Sequence, residues 1–187
     1  METKTEPSVW VISGPSGVGK GTVCDALKER CPELFVSVSM TTRPKRPAEA
    51  DGVSYHFVDR KEFLDMIERG QLLEHAVVHG THHYGTPKAP MIKALEEGRN
   101  VILEIDLQGA RQVKKNMPEA KLVFLTPPSW GELEARLAGR GTEDAAARAR
   151  RLDTAKLEMA SRSEADYELV NDDVGDTVQA LLDLMRS

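Results

Sequence analysis

Val9-Trp10-Val11-Ile12-Ser13-Gly14-Pro15-Ser16-Gly17-Val18-Gly19-Lys20-Gly21-Thr22 is the stretch whose reading decides the fold. Residues 9–12 are a short apolar run, the pattern of a strand buried on both faces of a parallel sheet. After the loop, Val23, Ala26 and Leu27 recur at helical spacing. Strand, glycine-rich loop and helix in that order build a phosphate cradle. The glycines let the backbone approach an anion with successive N–H groups pointing inward, and the helix N-terminus adds partial positive charge. Lys20 then reaches the terminal phosphates as a point charge. Residues 14–22, that is Gly14, Pro15, Ser16, Gly17, Val18, Gly19, Lys20, Gly21 and Thr22, are therefore the candidate nucleotide-phosphate loop.

One position departs from the usual motif, which places Ser or Thr directly after the lysine to bind Mg²⁺ through its hydroxyl. Here that position is Gly21, with Thr22 next. Adenylate kinases resemble this chain in their own Lys-Gly-Thr ending. Mg²⁺ is then expected to be held by phosphates and water in place of a loop hydroxyl.

A chain of 187 residues suits one compact α/β unit, with room for a small insertion. The net charge of −5 argues against a nucleic-acid surface, which would be basic overall. Cys24 and Cys31, seven apart in the first helix, read as small apolar side chains in a reducing compartment. Residues 1–7 lack the apolar core of a signal segment, and no apolar run approaches membrane-span length. A soluble cytoplasmic protein without a membrane partner is the expectation.

Downstream of the first helix, residues 34–39 read as a second strand. Residues 40–52 form an irregular segment with Pro44 and Pro47 among the cations Arg43, Lys45 and Arg46. Alternation over 53–58 predicts a strand, and Phe63, Met66 and Ile67 give residues 60–69 a helical stripe ended by Gly70. Residues 72–78 read as a strand, 80–87 as a turn-rich connection and 89–97 as a helix. Strand–helix alternation resumes with the apolar run 101–106, which carries Glu104 and Asp106 at its C-terminal end. Ligands of open α/β sheets lie beyond that end, so both acids point toward the phosphate loop. A helix over 108–116 and a strand over 121–125 follow. Ser129 and Glu132 have the spacing of a capping box for the next helix. Arg136, Arg140, Arg148, Arg150 and Arg151 cluster around Gly139 and Gly141, in the manner of a mobile arginine-bearing lid. A final strand over 167–170, a turn and a helix over 177–185 close the chain. The partition expected is a core of residues 1–38, 88–138 and 158–187, an insert of residues 39–87 and a lid of residues 139–157.

These motifs together resemble the guanylate kinase family over nearly the whole chain. The resemblance rests on the loop ending at Lys20, Ser37 and Ser39 with Thr41-Thr42-Arg43, and Arg46, Glu49, Gly52 and Tyr55-His56-Phe57. It rests equally on Glu74, Tyr84-Gly85-Thr86, the segments 104–109 and 139–143, and 170–173. It implies an α/β fold: a P-loop kinase core whose parallel sheet is flanked by helices, an inserted GMP-binding subdomain and an arginine-bearing helical lid. The implied reaction is Mg²⁺-dependent transfer of the ATP γ-phosphoryl group to GMP, with no protein partner.

Carried over by position, Ser39, Glu74 and Thr86 would read guanine, with Glu49 and Glu104 also on the GMP side. Arg43, Arg46, Tyr55 and Tyr84 would bind the GMP phosphate. Lys20, Arg136, Arg140 and Arg151 would act on the ATP phosphates, Asn171 would lie beside adenine, and Asp106 would hold a metal-bound water. Guanine presents N1–H and N2–H on one side, and a carboxylate accepts from both at once. Two rivals are a kinase of the same architecture with another acceptor, and a non-enzymatic module of the same family. Glu74 and Ser39 count against the first, and retention of Lys20 and the arginines counts against the second.

Overall fold

The computed structural model describes residues 6–78, 81–138 and 145–187, with the side chains of Val78 and residues 145–148 left aside. Two sheets organise the described residues. The larger is wholly parallel, in the order β2–β7–β1–β8–β9. Its strands are β1 (Val9–Ser13), β2 (Phe35–Val36), β7 (Val101–Glu104), β8 (Lys121–Thr126) and β9 (Tyr167–Val170). Every residue of β1 is buried, because strand pairing covers both edges and helices cover both faces.

Alternation along β1 sends its side chains into two different cores. Trp10 and Ile12 pack with Val23 and Leu27 of α1 (Lys20–Arg30) and with Val178, Leu181 and Leu182 of α7 (Val174–Arg186). Val9 and Val11 pack on the opposite face with Met91 and Ala94 of α3 (Lys88–Glu96) and Ala110 and Val113 of α4 (Leu107–Asn116). The result is helix, sheet, helix, with β1 at the centre and the glycine loop at its carboxyl end.

The second sheet has the order β4–β3–β6–β5, built from β3 (Met40–Thr41), β4 (His56–Phe57), β5 (Leu72–Val78) and β6 (His82–Pro87). Phe63, with Met66 and Ile67, lays α2 (Arg60–Glu68) over Met40 and Leu72 of this sheet. Asp59 caps α2, its carboxylate accepting the N–H of Glu62.

Several sequence expectations shift. The turn-rich connection over 80–87 is in fact strand β6 from His82 onward, paired with β5 on one edge and β3 on the other. Ladder partners on both sides outweigh the Gly, Thr and Pro composition. The strand expected over 34–39 shortens to Phe35–Val36, which pairs with β7, and Met40–Thr41, expected within the irregular segment, is a strand of the other sheet. The strand over 53–58 shortens to His56–Phe57. Asp106 is not a strand residue; its carboxylate caps α4 by accepting the Gly109 N–H at 2.8 Å.

α5 (Trp130–Ala138) starts where expected, with Ser129 Oγ accepting the N–H of Glu132 at 3.1 Å. Its Leu133 and Leu137 pack on Ala155 and Leu152 of α6 (Ala145–Ala160).

Candidate active site

The loop between β1 and α1 takes its shape from glycines that nothing else could replace. Gly14 has φ +144°, and a Cβ there would lie 2.4 Å from the Leu125 carbonyl oxygen. Gly19 has φ +102° and would drive a Cβ to 2.6 Å from Asn171 Nδ2. Both positions combine a left-handed backbone with close approach, so a side chain is excluded twice over. No side chain caps α1, and no acidic residue occupies its first turn. Its leading N–H groups are thus left for an anion.

Lys20 Nζ donates to the Gly14 carbonyl at 2.6 Å and the Pro15 carbonyl at 3.3 Å, folded back along its own loop. Burial lowers its pKa, opposed by the carboxylates of Glu158, Glu104 and Asp106 around it. Glu158 has no sequence signal: it is one acid within a helical run. It stands on α6, and one of its oxygens accepts the Ser16 N–H at 3.3 Å. Burial raises the Glu158 carboxyl pKa, with Lys20 acting the other way. A carboxylate of the protein thus lies against the phosphate loop.

A pocket of about 270 Å³ follows the loop and is lined by Ser16, Gly17, Gly19, Lys20, Gly21, Thr22 and Glu104. A second cavity, of about 190 Å³, opens between the two sheets. Lys20 and Glu104 line both, while Ser39, Tyr55, Glu74, Tyr84 and Asp106 line only the second. Two compartments therefore share a wall formed by Lys20 and Glu104.

Glu74 is 5% exposed, and Thr86, 1% exposed, donates its hydroxyl to Glu74 Oε1 at 2.7 Å. Burial raises the Glu74 carboxyl pKa to about 7; the Thr86 hydrogen bond lowers it and the Asp106 charge raises it. Thr86 thus spends its one proton on the carboxylate and acts at the cavity through Glu74. Ser39 is half-buried on the cavity wall.

Arg43 is gripped from several sides. Its guanidinium forks onto Glu49 at 2.7 and 3.0 Å, and its Nε donates to Tyr84 Oη at 3.1 Å. The Tyr55 ring lies below it, 5.5 Å from Cζ to centroid. The Arg43 fork lowers the Glu49 carboxyl to about 2, with the Arg46 N–H contributing. Glu49 therefore faces Arg43, and the Arg46 side chain is exposed.

Beside the glycine loop, Arg136 Nη1 donates to the Val18 and Asn171 carbonyls, each at 3.3 Å. Asn171 is 2% exposed: Nδ2 donates to the Val18 carbonyl at 2.8 Å, and Oδ1 accepts from Thr177 at 2.9 Å. Its amide is spent on holding the loop to the end of β9. Arg151 is half-buried on α6. Arg140 lies outside the described residues, as do Gly139, residues 141–144 and the Arg148 side chain.

Among the described residues no group of three or more His, Cys, Asp or Glu could cage a metal ion. Mg²⁺ needs no such cage: one or two carboxylates with substrate phosphates and water suffice. Glu104 and Asp106, beside Lys20, are a donor set of that kind.

The guanylate kinase family model matches residues 6–187. The chain belongs to the guanylate kinase family. The guanylate kinase of Leifsonia xyli is 58% identical over 94% of this chain and 69% of its own length. That of Frankia casuarinae is 54% identical over 94% of this chain and 95% of its own. The crystal structure of guanylate kinase from Anaplasma phagocytophilum superposes with a TM-score of 0.80 at 32% identity, covering 97% of this chain and 86% of that one. The chain is accordingly a kinase, and the family's reaction is ATP-dependent phosphorylation of GMP to GDP. No helix of the described residues is long and apolar enough to cross a membrane.

Proposed function

We propose that the loop pocket takes ATP and the neighbouring cavity takes GMP, so that the γ-phosphoryl group passes between them beside Lys20. The observation that carries this reading is the shared wall: Lys20 and Glu104 line both compartments. Two polyanions can approach only where cations offset their repulsion, and phosphoryl transfer is mostly positioning and electrostatics. Lys20 supplies charge at the meeting point, turning from the Gly14 and Pro15 carbonyls to phosphate oxygens. Mg²⁺ fits beside Glu104 and Asp106, held through water and the phosphates, and supplies further neutralisation of phosphate charge when bound.

At the acceptor end, Glu74 accepts from guanine N1–H and N2–H, with its carboxylate steadied by Thr86 and with Ser39 at O6. Arg43 binds the GMP phosphate alongside Tyr55, Tyr84 and Arg46, while Glu49 holds the Arg43 fork in place. At the donor end, Arg136, Arg140 and Arg151 gather on the ATP phosphates, and Asn171 fixes the loop. Residues 39–87 then act as the GMP-binding insert and 139–157 as the lid, whose closure excludes water. The GMP phosphate is already anionic at neutral pH, so no general base is needed. A cytoplasmic setting goes with this reading, supported by the two buried thiols of Cys24 and Cys31.

A coupled ADP-release assay with GMP, dGMP, AMP, CMP and UMP tests the reading. AMP would set an acceptor nitrogen against the Glu74 carboxylate, leaving buried polar groups unpaired. GMP should be favoured over AMP in kcat/KM by on the order of 10³ or more. Comparable rates with the two would refute it.

A further inference from the structure

Glu74 sits where the β5–β6 ladder is irregular. Leu72 pairs with Pro87 and His75 with Gly85, so Leu73 and Glu74 together face the single residue Thr86. Such a bulge re-aims a side chain, and it also interrupts the hydrogen bonds that would hold the strand in place. β5 is moreover the edge strand of its sheet. A carboxylate that must meet two donors of one base is thus carried on an irregular stretch of an edge strand.

Helix α4 supplies the missing constraint. Gln112 Nε2 donates to the His75 carbonyl at 2.8 Å, and Gln112 Oε1 accepts the His75 N–H at 3.2 Å. One turn on, Asn116 Nδ2 donates to the Leu73 carbonyl at 3.0 Å. These amides do for the outer edge of β5 what a neighbouring strand would do, on the residues immediately before and after Glu74. The same helix makes room for the side chain: a Cβ at Gly109 would lie 2.7 Å from Glu74 Oε2 and 3.2 Å from its Cδ.

We infer that Gly109, Gln112 and Asn116 are positioning residues for guanine recognition, which act by fixing where the Glu74 carboxylate stands. Gln112 and Asn116 set the backbone, Thr86 sets one oxygen, and the bare face of Gly109 sets the depth of the other. The inference rests on the reading of Glu74 as the carboxylate that binds the base. It ties base selection to a helix of the large parallel core, although Glu74 itself belongs to the smaller sheet.

The test uses the full chain, with GMP and with inosine monophosphate, which lacks the 2-amino donor. Gly109→Ala is the cleaner variant. Alanine favours a helix over glycine, and the atom displaced is the far end of a flexible side chain. Its melting temperature should be unchanged or raised. KM for GMP should rise about tenfold, KM for ATP should stay within about twofold, and the preference for GMP over inosine monophosphate should narrow. Gln112→Leu, of similar size but without the amide, should show the same split, and Gly109→Ala carries the test if it does not fold. In a Glu74→Gln background each change should add less than about twofold, since neither touches the base itself. A GMP defect that persists in full in that background, or that extends equally to ATP, would reduce these residues to general structure and overturn the inference. An altered GMP KM in Glu74→Gln with unaltered values in Gly109→Ala and Gln112→Leu overturns it alone. An intact GMP KM in Glu74→Gln overturns the base reading and the inference with it.

Discussion

Replacing Glu74 by Gln should make the protein more stable and less active, and the two effects should part with pH. Burial raises this carboxyl from an ordinary 4.5 to about 7, so the folded state resists its ionisation. A group whose pKa rises on folding leaves stability intact below its unfolded value and removes it as pH climbs through its folded value. At about 1.4 kcal/mol per pKa unit, the acid costs the fold about 3 kcal/mol at pH 8 and less than about 1 kcal/mol at pH 5. Glutamine has nearly the same shape, keeps an oxygen for the Thr86 hydroxyl and carries no charge to desolvate. Glu74→Gln should therefore raise the melting temperature by roughly 5–10 °C at pH 8 and by much less at pH 5. The same change turns one acceptor into a donor against guanine, costing about 2–4 kcal/mol in kcat/KM for GMP with ATP binding unaffected. Thermal melts at the two pH values, beside a coupled assay, read both arms. An equal melting shift at pH 5 and pH 8, or a loss of stability at pH 8, would refute the argument that burial of the charge is what the fold tolerates here.

Lys20→Ala should lower kcat by on the order of 10²–10³ with little change in KM for GMP, by steady-state assay. Gly21→Ser should fold and retain ATP binding in calorimetry. The nearest atoms to its Cβ are the Glu104 carboxylate oxygens at 3.6 and 3.8 Å, an ordinary contact, so loss of ATP binding would count against the loop geometry. Glu49→Gln should raise KM for GMP severalfold and leave KM for ATP alone, because a neutral amide holds the Arg43 fork less firmly. Glu158→Gln should tighten ATP binding about fivefold, measured with chelator present so that metal plays no part. Weaker binding would make that carboxylate an ally of the nucleotide instead of its competitor for the Ser16 N–H.

The parts of this molecule legible in its sequence are those whose causes are local. β1, the glycine loop and the start of α1 are read from consecutive residues, since the apolar run, the glycine spacing and the helical pattern follow one another along the chain. The cap of Ser129 on α5 is legible for the same reason: donor and acceptor are three residues apart. β6 was hidden because a strand flanked on both sides needs no help from its own composition, and its partners lie far along the chain. Glu158 and Gln112 were hidden more completely. Each is an unremarkable residue on a helix, and its role comes from meeting Ser16 across 142 positions or His75 across 37. Asn171 illustrates a middle case: the family resemblance set it beside adenine, whereas the spending of its amide on Val18 and Thr177 required coordinates.

The same division explains why the smaller sheet can tolerate its own poor design. Its strands β3 and β4 are two residues long, its edge is bulged at Glu74, and it buries an acid at a cost to stability. Short strands of this kind gain from packing against neighbouring helices. They persist because α4 braces the outer edge through Gln112 and Asn116 while packing Ala110 and Val113 into the large core. A helix packed into the large core thus braces the strand of the smaller sheet that carries Glu74. That arrangement keeps a buried carboxyl, hydrogen-bonded by Thr86, on the wall of the cavity proposed to take GMP.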